Sequence, residues 1–224
     1  MVQPGKSPDA PEWVVVVPVK HGEVAKTRLS DAAGAMRPEL ARAFAADCIA
    51  AAAKAPGVGA VIAVTDDPEV TALLAGTGVS VVADAPAAGL NAAVVHGAEV
   101  ARGQHPGWAV AVLSGDLPAL RPAELGTALA SAAQHERAFV ADARGVGTTL
   151  LTATGGVAPD PHFEGASRAA HRRSGAVELD VVAPSLRRDV DTPVDLWDAE
   201  RLGVGPATRD VVDRLTSAAP SSLR

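Results

Sequence analysis

Hydrophobic positions along this chain form short continuous runs, separated by longer stretches in which apolar and polar residues alternate with helical spacing. The first run, Trp13-Val-Val-Val-Val-Pro-Val19, reads as a strand buried on both faces. After polar, Lys-rich residues 20–31, Leu40, Phe44 and Cys48 recur every four residues beside Ala41, Ala45 and Ile49. That spacing predicts a helix over 36–55, with Pro38 in its first turn and Gly57 just past its end. The alternation continues with strands at 59–65, 79–83, 108–114, 138–141 and 148–152. Helices are predicted between them at 68–75, 91–104 and 122–134. Beyond residue 155 the pattern weakens to a loop (155–165), a short helix (166–173), a strand (177–182), an extended piece ending at 189–191 and a helix at 193–202.

Strands alternating with helices of this length imply right-handed βαβ units and a largely parallel sheet. The expected fold is α/β: one three-layer αβα sandwich, Rossmann-like. Residues 1–12 read as a flexible tail, 13–209 as the domain, and 210–224 as a C-terminal helix or tail.

Composition narrows the function. The chain has 224 residues, a formal net charge of −6, 3% aromatic residues and one cysteine, Cys48. Cationic residues are scattered rather than gathered in a stripe, so the electrostatic footprint of a nucleic-acid binder is absent. A single cysteine allows no internal disulfide. The polar, Pro-rich N-terminus resembles neither a signal peptide nor an anchor. The Ala-rich stretch is interrupted by Arg42, Asp47 and Lys54, which argues against a membrane span. A reducing cytoplasm is the expected compartment.

In an open parallel sheet, ligands bind outside the carboxyl ends of the strands. Lys20, Lys26 and Arg28 follow the first strand, Gly89-Leu90-Asn91 follows the third, and Gly115-Asp116-Leu117-Pro118 follows the fourth. Asp189 and Asp191, two apart on an extended chain, share one face. Their repulsion requires a cation between them. A divalent ion such as Mg²⁺ supplies one; the alternative reading is a turn at Asp116 and a helix N-cap at Asp191. The basic loop reads equally as a phosphate contact or as a solvated surface, and it lacks P-loop spacing. Gly145-Val-Gly147 does not extend to Gly-x-Gly-x-x-Gly, because position 150 is Leu. No Gly-x-Ser-x-Gly elbow occurs. Cys48 falls on an apolar helix face and reads as core. His171, beside Arg172 and Arg173, reads as a solvated helix end or an anion contact.

Taken in order, several of these segments resemble one family. Pro18-Val-Lys20, Ala25-Lys26-Thr27-Arg28-Leu29, Gly89-Leu90-Asn91, Gly115-Asp116-Leu117-Pro118, Gly147-Thr148-Thr149, Ser174-Gly-Ala176 and Asp189-Val-Asp191-Thr192-Pro193 are similar to motifs of the phospholactate/phosphoenolpyruvate guanylyltransferases of coenzyme F-420 biosynthesis. The resemblance runs from about Trp13 to Thr208. It implies a nucleotide-diphospho-sugar-transferase-like fold related to the molybdopterin guanylyltransferases.

By residue, the resemblance implies that Asp116, Asp189 and Asp191 hold one or two Mg²⁺ ions. Lys20, Lys26 and Arg28 would contact the triphosphate of GTP, and the loop around Asn91 would approach base and ribose. Asp116, Lys20 and Lys26 would carry the catalysis. Thr148 and Ser167, with Glu164 or Gly165, would grip the acceptor. The family usually reads Phe-Gly-x-x-Ser in this loop, whereas this chain has Phe163-Glu164-Gly165-Ala166-Ser167. Either Glu164 crowds the acceptor or the loop slips so that Gly165 serves.

The implied reaction moves GMP from GTP to phosphoenolpyruvate, releasing pyrophosphate, with the labile product handed to the next pathway enzyme. Ala- and Arg-rich usage resembles a GC-rich bacterial genome, where family members are associated with phosphoenolpyruvate. Phospholactate and phosphoglycerate are the alternative acceptors, and a non-catalytic nucleotide-binding domain is the alternative class.

Overall fold

A computed structural model describes residues 12–21, 26, 29, 33–85 and 87–218. Seven strands form one sheet: β1 (Trp13–Pro18), β2 (Val58–Val64), β3 (Ser80–Val82), β4 (Ala109–Leu113), β5 (Arg137–Ala141), β6 (Thr148–Ala153) and β7 (Val177–Glu178). Their spatial order is β3-β2-β1-β4-β6-β5-β7. The pairings β1–β2, β1–β4, β2–β3 and β5–β7 are parallel, whereas β6 runs antiparallel to both β4 and β5. The α/β sandwich expected from the sequence is therefore present, with one reversed strand inside it.

The helices are α1 (Arg37–Ala52), α2 (Pro68–Leu74), α3 (Leu90–Gln104), α4 (Pro122–Ala132), α5 (Ser167–Arg173), α6 (Pro184–Arg187), α7 (Pro193–Leu202) and α8 (Pro206–Ala218). Alternation along β1 divides the core. Trp13, Val15 and Val17 pack with Cys48 and Ile49 of α1 and with Leu125 and Leu129 of α4. Val14 and Val16 face the other way, onto Ala93, Val94 and Ala98 of α3. These are the two faces that an uninterrupted Val run demands. Helix α3 lies so close to the sheet that a Cβ at Gly97 would come within 2.5 Å of Val16 Cγ1.

A third apolar cluster lies outside α1. Leu40 and Phe44 there pack with Val190, Ala199 of α7 and Val211 of α8. Helix α8 runs through the domain boundary expected at 209/210. Asp47, buried within α1, accepts hydrogen bonds from the main-chain amides of Ala207 (3.1 Å) and Thr208 (2.8 Å). It thus caps the α8 N-terminus from far away in sequence.

The strand expected over 177–182 is only Val177–Glu178. Its pairing with β5 stops at Phe139, and the chain then leaves the sheet edge, leaving Val182 94% exposed. The N-terminal tail expected at 1–12 lies, apart from Glu12, outside the described residues. So does Arg28.

Candidate active site

Strands β2 and β3 lie on one side of β1, and β4 lies on the other. The chain direction across the sheet therefore switches between β1 and β4, and a crevice opens at such a point beyond the strand ends. A cavity of about 860 Å³ occupies it. Pro18, Val19 and Lys20 leave β1 into its wall, and Ser114, Gly115 and Asp116 leave β4. Because β6 runs antiparallel, it starts at this same edge. Ser114 N–H donates to the Thr149 carbonyl (2.9 Å), which brings Thr148 into the lining.

Asp189 and Asp191 arrive through one main-chain tie. Val190 N–H donates to the Asp116 carbonyl at 3.1 Å, while the Val190 side chain is fully buried in the outer apolar cluster. On extended chain the flanking carboxylates then face away from that cluster, and both line the cavity. The N-cap of α7 is not Asp191 but Thr192, which forms a reciprocal capping box with Asp195. Asp191 is thereby left free for the site.

Between Asp116 and Asp191 lies an ammonium. Lys26 Nζ contacts Asp116 Oδ2 and lies 2.7 Å from Asp191 Oδ1. Burial works against the Lys26 charge, but Asp116 and Asp191 outweigh it and hold its pKa well above the usual lysine value. Asp189 has the opposite environment. Burial, and then the charges of Asp116, Asp191 and Asp142, push its carboxyl up to about 7. Asp116 Oδ1 is buried with no hydrogen-bond partner among the described residues.

An orphaned carboxylate oxygen beside a carboxyl that resists ionisation marks a surplus of hard oxygen donors. That chemistry suits a divalent cation. Among the described residues, no group of three or more acidic, His or Cys side chains is placed to hold a metal ion by itself. Lys26 provides the neutralising charge in this arrangement.

The residues expected from the resemblance to grip the acceptor lie at and before α5 and at the start of β6. Thr148, Gly165 and Ser167 line the cavity together with Phe163. Gly165 adopts φ +63°, the left-handed region that favours glycine. Glu164 is exposed and turned toward Gly89, where a Cβ would come within 3.6 Å of Glu164 Oε1. Gly165, and not Glu164, lines the cavity. The Asn91 Oδ1 accepts from Phe163 N–H at 2.8 Å, so its side chain braces the 160–167 loop, while its neighbour Leu90 lines the cavity.

Sequence reasoning missed several residues here. Arg144 reaches the cavity and pairs with Asp195 Oδ2 at 2.6 Å. Asp142 accepts from Val146 N–H at 2.8 Å and organises the turn before β6. A Cβ at Gly147 would lie 2.7 Å from Asp142 Oδ2, so Gly145-Val-Gly147 serves that turn. His171 is no solvated helix end. It is fully buried, and only its place on the inner face of a short helix would have revealed this. Cys48 is core as expected. Its Sγ–H donates to the Ser114 carbonyl (3.3 Å), and burial, then the Asp116 charge, raise its pKa.

Comparison with known proteins agrees with this architecture. The chain is 54% identical over 209 residues to the phosphoenolpyruvate guanylyltransferase of Streptomyces coelicolor, covering 92% of this chain and 99% of that protein. It is 51% identical over 211 residues to the same-named protein of Thermomonospora curvata, covering 94% and 92%. In fold it resembles a Desulfovibrio desulfuricans protein assigned to the nucleotide-diphospho-sugar transferases, with a TM-score of 0.66 at 20% identity, covering 92% of this chain and 96% of that one. It also resembles a Mycobacterium tuberculosis protein solved in complex with manganese, with a TM-score of 0.51 at 19% identity, covering 84% and 97%. The family model described as "Guanylyl transferase CofC like" matches residues 13–177, and the chain belongs to that family of nucleotidyltransferases.

Proposed function

We propose that this protein transfers GMP from GTP to phosphoenolpyruvate, giving enolpyruvoyl-2-diphospho-5′-guanosine and pyrophosphate, as a cytoplasmic Mg²⁺-dependent step of coenzyme F-420 biosynthesis. The observation that carries this reading is the meeting of Asp116, Asp191 and Lys26 in the same cavity as Thr148 and Ser167. The names of the relatives support it.

The chemistry needs little proton management. A phosphate monoester has its second pKa near 6 and is largely dianionic at neutral pH. Its oxygen attacks the α-phosphorus of GTP without a general base, and pyrophosphate leaves. The obstacle is repulsion between two polyanions: each pair of unit charges about 4 Å apart costs roughly 4 kcal/mol at an effective dielectric of 20. Asp116, Asp189 and Asp191 would hold Mg²⁺, which when bound neutralises phosphate charge and polarises the phosphoryl oxygens. Lys20 and Lys26 supplement it on the triphosphate, and Arg28 is assigned there too. The Thr148 and Ser167 hydroxyls and the Gly165 main chain orient the acceptor, because phosphoryl-type transfer rests on positioning and charge stabilisation.

The direct test offers GTP, ATP or CTP with phosphoenolpyruvate, phospholactate or phosphoglycerate and measures pyrophosphate and product mass. The expected result is product from GTP and phosphoenolpyruvate, lost by about 10²-fold or more in kcat/KM in Asp116→Asn. Preference for another nucleotide, or near-normal turnover in that variant, overturns the assignment.

A further inference from the structure

One buried group in this region has no part in the reaction described so far. His171 lies on the inner face of α5 at 0% exposure. Its ring packs on Phe139 of the sheet (centroids 5.8 Å apart), meets Phe163 edge-on (5.1 Å) and lies near the His162 ring (5.9 Å). Both ring nitrogens are engaged. His162 N–H donates to Nε2 at 2.9 Å, and Nδ1 lies 2.9 Å from Thr148 Oγ1.

These two contacts fix the proton. A main-chain N–H can only donate, so Nε2 carries the lone pair, and the neutral ring holds its hydrogen on Nδ1. Nδ1–H then donates to Thr148 Oγ1. With that oxygen already accepting, the Thr148 hydroxyl hydrogen is turned away from His171, and Thr148 lines the cavity. Burial first, then the His162 and Arg137 charges, against an opposing Asp160, lower the His171 pKa to about 4. The ring therefore stays neutral near neutral pH.

We propose that His171 is a positioning residue of the acceptor site: it sets the Thr148 hydroxyl as a hydrogen-bond donor toward an anionic ligand and pins the 160–167 loop through His162. This rests on the assignment of Thr148 to the acceptor half. The arrangement suits a phosphate or carboxylate oxygen, which can only accept. A ligand group presenting a donor to Thr148 would meet hydrogen against hydrogen. Asn91, by accepting from Phe163 N–H, holds the same loop one residue further on.

The test has two independent readings. In ¹⁵N-histidine NMR of the wild-type protein, His171, identified by its loss in His171→Asn, shows the Nδ1–H tautomer throughout pH 5.5–8 (roughly 1.5 units or more above its pKa). An Nε2–H tautomer or a protonated ring in that range refutes the proposal, whether or not any variant folds. In kinetics, His171→Phe raises the phosphoenolpyruvate KM by about tenfold or more while the GTP KM changes by about twofold or less. His171→Asn, whose amide can still donate from the Nδ1 position, recovers part of that loss. Equal rises in both KM values, or no difference between Phe and Asn, contradict the positioning role. If Thr148→Val instead raises the GTP KM, the acceptor assignment falls. The His171 effect then follows Thr148 to GTP, so the two failures are distinguishable.

Discussion

Lys26 Nζ lies 2.7 Å from Asp191 Oδ1 and contacts Asp116 on its other side, so one ammonium stands between two carboxylates assigned to a metal. Without GTP and metal, Lys26 neutralises the site; with them present, the same charge is needed on the phosphates. Lys26→Met is therefore expected to act in opposite directions. Its affinity for Mn²⁺ alone rises, because the competing cation is gone, while its GTP KM rises by about tenfold or more. Calorimetric titration of Mn²⁺ and steady-state kinetics check the two halves. Unchanged Mn²⁺ affinity would mean that ammonium and metal do not share the carboxylates.

Asp189 carries a cost that stability measurements can read. Its carboxyl pKa is raised to about 7 in the folded chain against about 4 when unfolded. Over that window the native state retains a proton that the unfolded state has lost, so stability from this group falls as pH rises from 4 to 7. Asp189→Asn removes that fall. The metal-free variant is expected to match wild type near pH 4 and to exceed it by on the order of 2–4 kcal/mol at pH 8, measured by urea unfolding. Added Mg²⁺ is expected to stabilise wild type more than the variant. A variant less stable than wild type at pH 8 contradicts this account.

Thr148, proposed above to hold the acceptor, is expected to separate the two substrates. Thr148→Val keeps the β6 shape and deletes the hydroxyl, so it is expected to raise the phosphoenolpyruvate KM by about tenfold or more and to leave the GTP KM near its normal value. Initial rates with each substrate varied in turn measure this. Equal damage to both would remove Thr148 from the acceptor half.

The fold was legible in the sequence wherever one element buried itself on both faces or along one stripe. The Val run of β1 and the Leu40–Phe44–Cys48 spacing of α1 need no tertiary information to be read. Long-range features were not legible. Helix α8 begins where Asp47, in α1, supplies its cap, and no local signal at 206–208 reveals that partner. Strand β7 stops after two residues because pairing with β5 ends, although the apolar pattern continues to Val182.

Within the site, the strand-end rule pointed to Asp116 and Lys20 from chain position, and the resemblance pointed to Thr148. It could not show that Lys26 would sit between Asp116 and Asp191, nor that Thr192 would take the α7 cap and release Asp191. The resemblance implies that the loop around Asn91 approaches base and ribose; that the Asn91 Oδ1 also holds Phe163 N–H, far away in sequence, had no local signal. His171 was read from its charged neighbours, Arg172 and Arg173, although helical rotation carries it inward while Arg172 reaches Glu178.

Asp116, Asp189 and Asp191 are proposed to hold a divalent cation together, against the GTP phosphates at the β1–β4 crevice. Anomalous diffraction from crystals grown with Mn²⁺ and a non-hydrolysable GTP analogue would locate that ion. The account predicts a manganese peak in contact with those carboxylates and a phosphate oxygen, with Lys26 drawn onto the triphosphate. A peak remote from all three aspartates, with nucleotide bound outside the crevice, would contradict it.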